Sequence, residues 1–105
     1  MVLSNQKGIE EIFVIKTEEI DFFGALVKEK GGNSAVNGRV WFQDGTRRYF
    51  HYPPGEPDRL RIKMVALCET IAEFYCTDVV HLKFNRVIGY EEFIRLLREG
   101  KGGMN

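Results

Sequence analysis

Apolar and polar residues along this chain repeat with two different periods, and the changes of period divide it into elements. Residues 11–17, EIFVIKT, are rich in Ile, Val and Phe and read as a strand. From Thr17 onward the spacing lengthens. Ile20, Phe23 and Val27 recur at helical intervals, with Phe22 and Leu26 widening the stripe. Thr17 is the expected N-cap, and Glu18, Glu19 and Asp21 put negative charge where a helix dipole favours it. Gly31-Gly32 is the expected end of that helix, because glycine takes a left-handed cap without a Cβ penalty.

Alternation then returns. AVNGRVWF (35–42) and RRYFHY (47–52) read as two strands joined by QDGT, and Pro53-Pro54-Gly55 halts the second. Asp44-Gly45 between two aromatic-rich runs predicts a hairpin in one of two registers. A two-residue loop pairs Phe42 with Arg47, and a three-residue loop ending at Gly45 pairs Phe42 with Thr46. A slip between them exchanges which side chains of 47–52 face the core.

Residues 58–75 carry a sustained helical stripe of Leu60, Met64, Leu67, Cys68, Ile71, Phe74 and Tyr75, with Asp58 as the expected N-cap and Ile62 off the stripe. DVVHLKFN (78–85) reads as a strand with Val80, Leu82 and Phe84 on one side and His81 and Lys83 on the other. GYEEFIRLLREG (89–100) predicts a closing helix with the stripe Tyr90, Phe93, Ile94 and Leu97. Residues 1–9 and 101–105 are the expected flexible ends of a single domain spanning 1–105.

The resulting order is β-α-β-β-α-β-α, and its first six elements match the split βαβ, or ferredoxin-like, arrangement. The expected fold is therefore α+β: a four-stranded antiparallel sheet in the order 4-1-3-2, both long helices on one face, and an added C-terminal helix. Strand 35–42 should lie at an edge, and the face away from the long helices should be open unless the last helix covers it.

Composition changes this picture little. Fifteen basic and fifteen acidic residues cancel, so the chain as a whole does not point to a polyanion or a membrane surface. The distribution is less even. Residues 38–63 carry six basic groups against three acidic ones, and residues 1–30 carry four lysines against six carboxylates. No apolar run approaches the ~18–20 residues that span a bilayer. Two cysteines are too few for a disulfide framework, and the start lacks a secretory pattern, so the expected setting is a reducing cytoplasm.

The densest chemistry is GRVWFQDGTRRYFHYPP (38–54). Arg39, Trp41, Arg47, Tyr49 and His51, with His81 and Lys83 from the strand 78–85, form the candidate binding set, on the expectation that they share the open sheet face. Rings that stack on unpaired bases and cations that hold phosphates have this composition. So does a cross-strand lattice of aromatic and arginine side chains with no ligand at all. The glycine-and-aromatic consensus of RNA-recognition motifs is absent.

Catalytic and metal chemistry find less support. Cys68, Cys76, His51 and His81 lack Cys-x2-Cys or His-Glu-x-x-His spacing, so no metal or other cofactor is expected. Cys76 and His81 have no evident third orienting group. The pairs Glu10-Glu11, Glu18-Glu19 and Glu91-Glu92 sit at element starts, where carboxylates stabilise ends. The glycines near 31 and 100 lack the strand-turn-helix context of a phosphate loop. The expected function is that of a small non-catalytic interaction or regulatory module. Its expected partner is another protein, or a second copy docked through the open face or edge strand. Single-stranded RNA or other nucleic acid on the basic-aromatic face is the alternative.

Overall fold

The computed structural model describes residues 8–89 together with Glu91, Glu92 and Arg95. Strands β1 (Ile9–Lys16), β2 (Ile20–Lys28), β3 (Ser34–Phe42) and β4 (Arg47–Gly55) follow one another, then helix α1 (Pro57–Phe74) and strand β5 (Val80–Ile88). A 3-10 turn at Lys30–Gly32 joins β2 to β3. The five strands form one sheet in the order β4-β3-β2-β1-β5, with every pairing antiparallel.

The α+β class and the antiparallel sheet are as expected. The split βαβ order, the four-strand count and the order 4-1-3-2 are not what the chain adopts. The difference lies in the segment after Thr17, where Ile20–Lys28 form the central strand β2 rather than a helix. Phe22 and Leu26 lie buried on the helix side, and Ala25 and Val27 are buried on the other. A strand covered on both faces reads as a continuous apolar run, and such a run fits a helical stripe as well as a strand. Thr17 does cap, but it caps a turn. Its Oγ1 accepts from the backbone N–H groups of Glu19 at 3.0 Å and Ile20 at 3.1 Å, while its own N–H donates to the Ile20 carbonyl at 2.9 Å. Gly31 and Gly32 take φ values of 73° and 82°, in a turn between two strands.

The hairpin adopts the three-residue loop. Phe42 N–H donates to the Thr46 carbonyl at 2.9 Å, Gly45 N–H donates to the Phe42 carbonyl at 2.9 Å, and Gly45 sits at φ 93°. This is a turn closed by a left-handed glycine, which the hairpin twist favours. Asp44 Oδ1 accepts from Thr46 N–H at 2.8 Å, and these bonds hold its carboxyl below the usual range. Pro53 and Pro54 do not halt β4. They lie within it, on the sheet edge and at a break in the β3–β4 register between Ser34–Gly55 and Val36–Tyr52, the kind of position where proline is tolerated. Strand 35–42 is interior, paired on both sides, and the edges are β4 and β5.

Helix α1 starts one residue before its expected position. Glu56 is the N-cap, Pro57 supplies a pre-set φ in the first turn, and Asp58 lies inside that turn. Leu60, Met64, Cys68 and Ala72, spaced by four, form its buried stripe against Phe13, Phe22, Leu26 and Val36. Burying Leu60 and Met64 contributes about 1.5–3 kcal/mol each. Ile62 is exposed as expected, but Phe74 is exposed too. The expected closing helix over 89–100, with Tyr90, Phe93, Ile94 and Leu97, lies outside the described residues apart from the few positions named above, as do the expected flexible ends.

Two glycines face each other across β2 and β3. Gly24 pairs with Gly38, and the absent side chains leave a cradle on the helix side. The Phe50 ring lies over Gly38 and the tip of Met64 over Gly24; a Cβ built at Gly38 would run into three atoms of that ring. Gly38→Ala is therefore expected to lift Phe50 and cost about 1–3 kcal/mol, measured by denaturant unfolding. An unchanged midpoint would mean that the ring moves aside freely.

Candidate functional site

Side chains directly opposite one another on neighbouring strands share a face, so the register assigns each candidate residue to a side. Arg39 pairs with Phe23 on one flank and Tyr49 on the other. Trp41 pairs with Asp21 and Arg47, and Asn37 with His51. These residues lie on the face away from α1. The loop register thus brings Arg47, Tyr49 and His51 beside Arg39 and Trp41, and turns Arg48, Phe50 and Tyr52 toward the helix.

His81 and Lys83 do not join them. His81 pairs with Phe13 and Lys83 with Glu11, which places both on the helix side of the sheet. The reason is a buried carboxylate. Glu11 has the same strand parity as Phe13 and Ile15, so its side chain enters the covered face, where it is 1% exposed. Arg61 Nε on α1 donates to Glu11 Oε2 at 2.6 Å, and His81 Nε2 donates to Glu11 Oε1 at 2.7 Å. Arg61 also reaches Asp58 Oδ1 at 2.6 Å. The His81 ring stacks on Phe13 with centroids 4.2 Å apart. Burial pushes the Glu11 carboxyl up, but the bonds from Arg61 and His81 outweigh it and leave it below its usual range. Glu11 in turn holds the Arg61 guanidinium above its ordinary value. Both carboxylate oxygens are engaged and the imidazole lies flat on a core ring, so the network ties β1, α1 and β5 together. Glu11 and Arg61 were not singled out from the sequence. The legible signal was the parity of Glu11 with two core residues of its own strand.

The face away from α1 divides into two halves. On the β5 side it is apolar and largely covered: Ile9, Ile12, Ala25 and Val27 are buried in a cluster flanked by Val14, Phe23 and Phe84, with Val80 43% and Leu82 48% exposed beside it. On the β3–β4 side it is basic and aromatic. The Arg39 guanidinium carbon lies 4.4 Å from the Trp41 ring centre and 5.3 Å from that of Phe23, and the Arg47 guanidinium carbon lies 4.6 Å from Trp41. Two cations thus share one indole. Neither has a carboxylate partner among the described residues; Asp21 lies 4.0 Å from Lys16. Arg39 Nε and Trp41 Nε1 are both shielded from water, with no acceptor among the described residues. Tyr49 stands 70% exposed. His51 Nδ1 donates to Asn37 Oδ1 at 2.8 Å, and these two residues border a shallow depression with Gly38, Tyr49 and Phe50.

The two cysteines are apart from this face. Cys68 is in the α1 stripe, where burial pushes its thiol up to about 12 and keeps it protonated, and Cys76 is exposed just beyond the helix. Among the described residues, no three His, Cys, Asp or Glu side chains group as metal ligands, and no helix is long and apolar enough to cross a membrane. Comparison of the chain with protein families, with curated proteins and with solved structures finds no match.

Proposed function

We propose that this chain is a non-catalytic binding module whose ligand surface is the β3–β4 half of the sheet face away from α1. The observation that carries the reading is the pair of guanidiniums stacked on Trp41 with no carboxylate partner among the described residues. A face that served only to complete the fold gains about 0.5–1 kcal/mol from each cation–π contact, against the repulsion of two like charges on one ring and the cost of two shielded donors with no acceptor among the described residues. Surfaces that break such local rules are those on which function imposes a cost. A twofold dimer stacked through this half would set four guanidiniums against one another, so a second copy is the weaker occupant here.

This reading separates binding from folding. In the double variant Arg39→Thr/Arg47→Thr, two cation–π contacts at the sheet surface, worth about 0.5–1 kcal/mol each, are lost. Relief of the charge repulsion and of one shielded donor, which costs about 1–3 kcal/mol, offsets that loss. Stability in urea is expected to be unchanged or higher. A loss above about 2 kcal/mol would mean that the stack is a structural lattice, and the reading would fail.

A further inference from the structure

Resting on that binding-face reading, we propose that the ligand is single-stranded nucleic acid. Three features of the face converge on it. A guanidinium stacked on an indole is held in place with its N–H groups in the plane that a phosphate approaches, and of the two Arg47 is the exposed one. The Tyr49 ring stands clear of its neighbours and offers a flat surface to a base. Beside it, the depression bordered by Asn37 and His51 supplies amide and imidazole groups to the edge of a base resting there. Cations and a free ring therefore alternate across two adjacent strands, matching a backbone with its bases splayed outward. A duplex hides its base faces from a stacking ring, so a partner that uses the Tyr49 ring is single-stranded. An acidic peptide would satisfy the arginines but leave the Tyr49 ring without a partner of its own shape.

Trp41 is the one tryptophan in the chain and lies within the face, so its fluorescence reports occupancy directly. The full chain is titrated with fluorescein-labelled oligouridylate and oligothymidylate of about ten nucleotides, a length within the usual site sizes. Trp41 emission and anisotropy are read together at several salt concentrations. Saturable binding is expected, with log K falling against log salt at a slope of about −1.4 if Arg39 and Arg47 each hold one phosphate. Tyr49→Ala should weaken binding about tenfold and Tyr49→Phe should restore it, because the stack needs the ring and not the hydroxyl. Arg39→Thr/Arg47→Thr should weaken binding and flatten the slope.

Four outcomes would overturn the proposal: no binding of either oligonucleotide at low salt; equal binding of a duplex; equal binding of inorganic polyphosphate with no effect of Tyr49→Ala; or binding of a poly-glutamate peptide in place of the oligonucleotides. Any of these, with the double arginine variant still as stable as the parent, removes the nucleic acid and leaves the binding face. Destabilisation of that variant removes both.

Discussion

Arg61→Leu is expected to destabilise the fold by about 3–5 kcal/mol, the cost of leaving a buried charge without its main partner. The Glu11 carboxylate is almost wholly enclosed, and Arg61 supplies its strongest bond; His81 alone would remain. Removing Glu11 instead should cost less, because the Arg61 side chain is 27% exposed and keeps Asp58. The double variant Glu11→Leu/Arg61→Leu should recover much of the loss, since an apolar pair of similar bulk removes the desolvation problem together with its remedy. The effect also depends on pH in a fixed direction. The folded Glu11 carboxyl lies below its usual value near 4.5, so its stabilising contribution is present above that value and is lost as the pH falls through the folded pKa. Acidification should therefore narrow the gap between the parent and Arg61→Leu in urea unfolding. A gap that stays constant from neutral pH into the acid limb would show that the carboxylate does not cause the loss.

Phe22→Ala is expected to cost about 3–5 kcal/mol as well, and to fall toward the upper end. The cost of a core truncation depends on how far its surroundings can collapse into the space. Phe22 is fully buried on the central strand, stacked on Phe50 with centroids 5.7 Å apart. The floor beside it is Gly24 and, across the ladder, Gly38, neither of which has a side chain to swing into the void. A chain of this size is stabilised by roughly 5–15 kcal/mol in total, so this one truncation removes a large share. Equilibrium unfolding in urea should show a lower midpoint with an unchanged slope. A loss under about 1.5 kcal/mol would mean that Phe50 or Met64 refills the site.

The elements that were legible in advance are those with one covered face. In α1 the stripe from Leu60 to Ala72 faces the core and the rest faces water, so its period survives in the sequence. In the hairpin, Asp44-Gly45 marks the turn, though only the backbone bonds between Phe42 and Thr46 choose the register. β2 failed because it is covered on both faces, and because the hydroxyl contacts that open a helix also close a β-turn, as Thr17 does here. The alternation of β5 is legible but its sign is not. Hydrophobicity alone points Val80, Leu82 and Phe84 inward, but a carboxylate already inside the sheet draws His81 to the side covered by α1 and leaves Val80 and Leu82 on the other. Of the candidate surface, Arg39, Trp41, Arg47, Tyr49 and His51 come together as a group; the two residues from β5 do not, because their position depends on a partner distant along the chain.

The sheet order also bears on how the chain assembles. β1 to β4 form a meander in which every strand pairs with its immediate neighbour along the chain, so each step closes only a short loop. β5 alone docks against a strand from the opposite end of this unit, after the helix has been laid down. Its docking closes the longest loop in the sheet and so carries the largest entropic cost of closure. Because β3 and β4 precede β5 along the chain, every residue of the basic-aromatic face is synthesised before the edge strand that finishes the sheet.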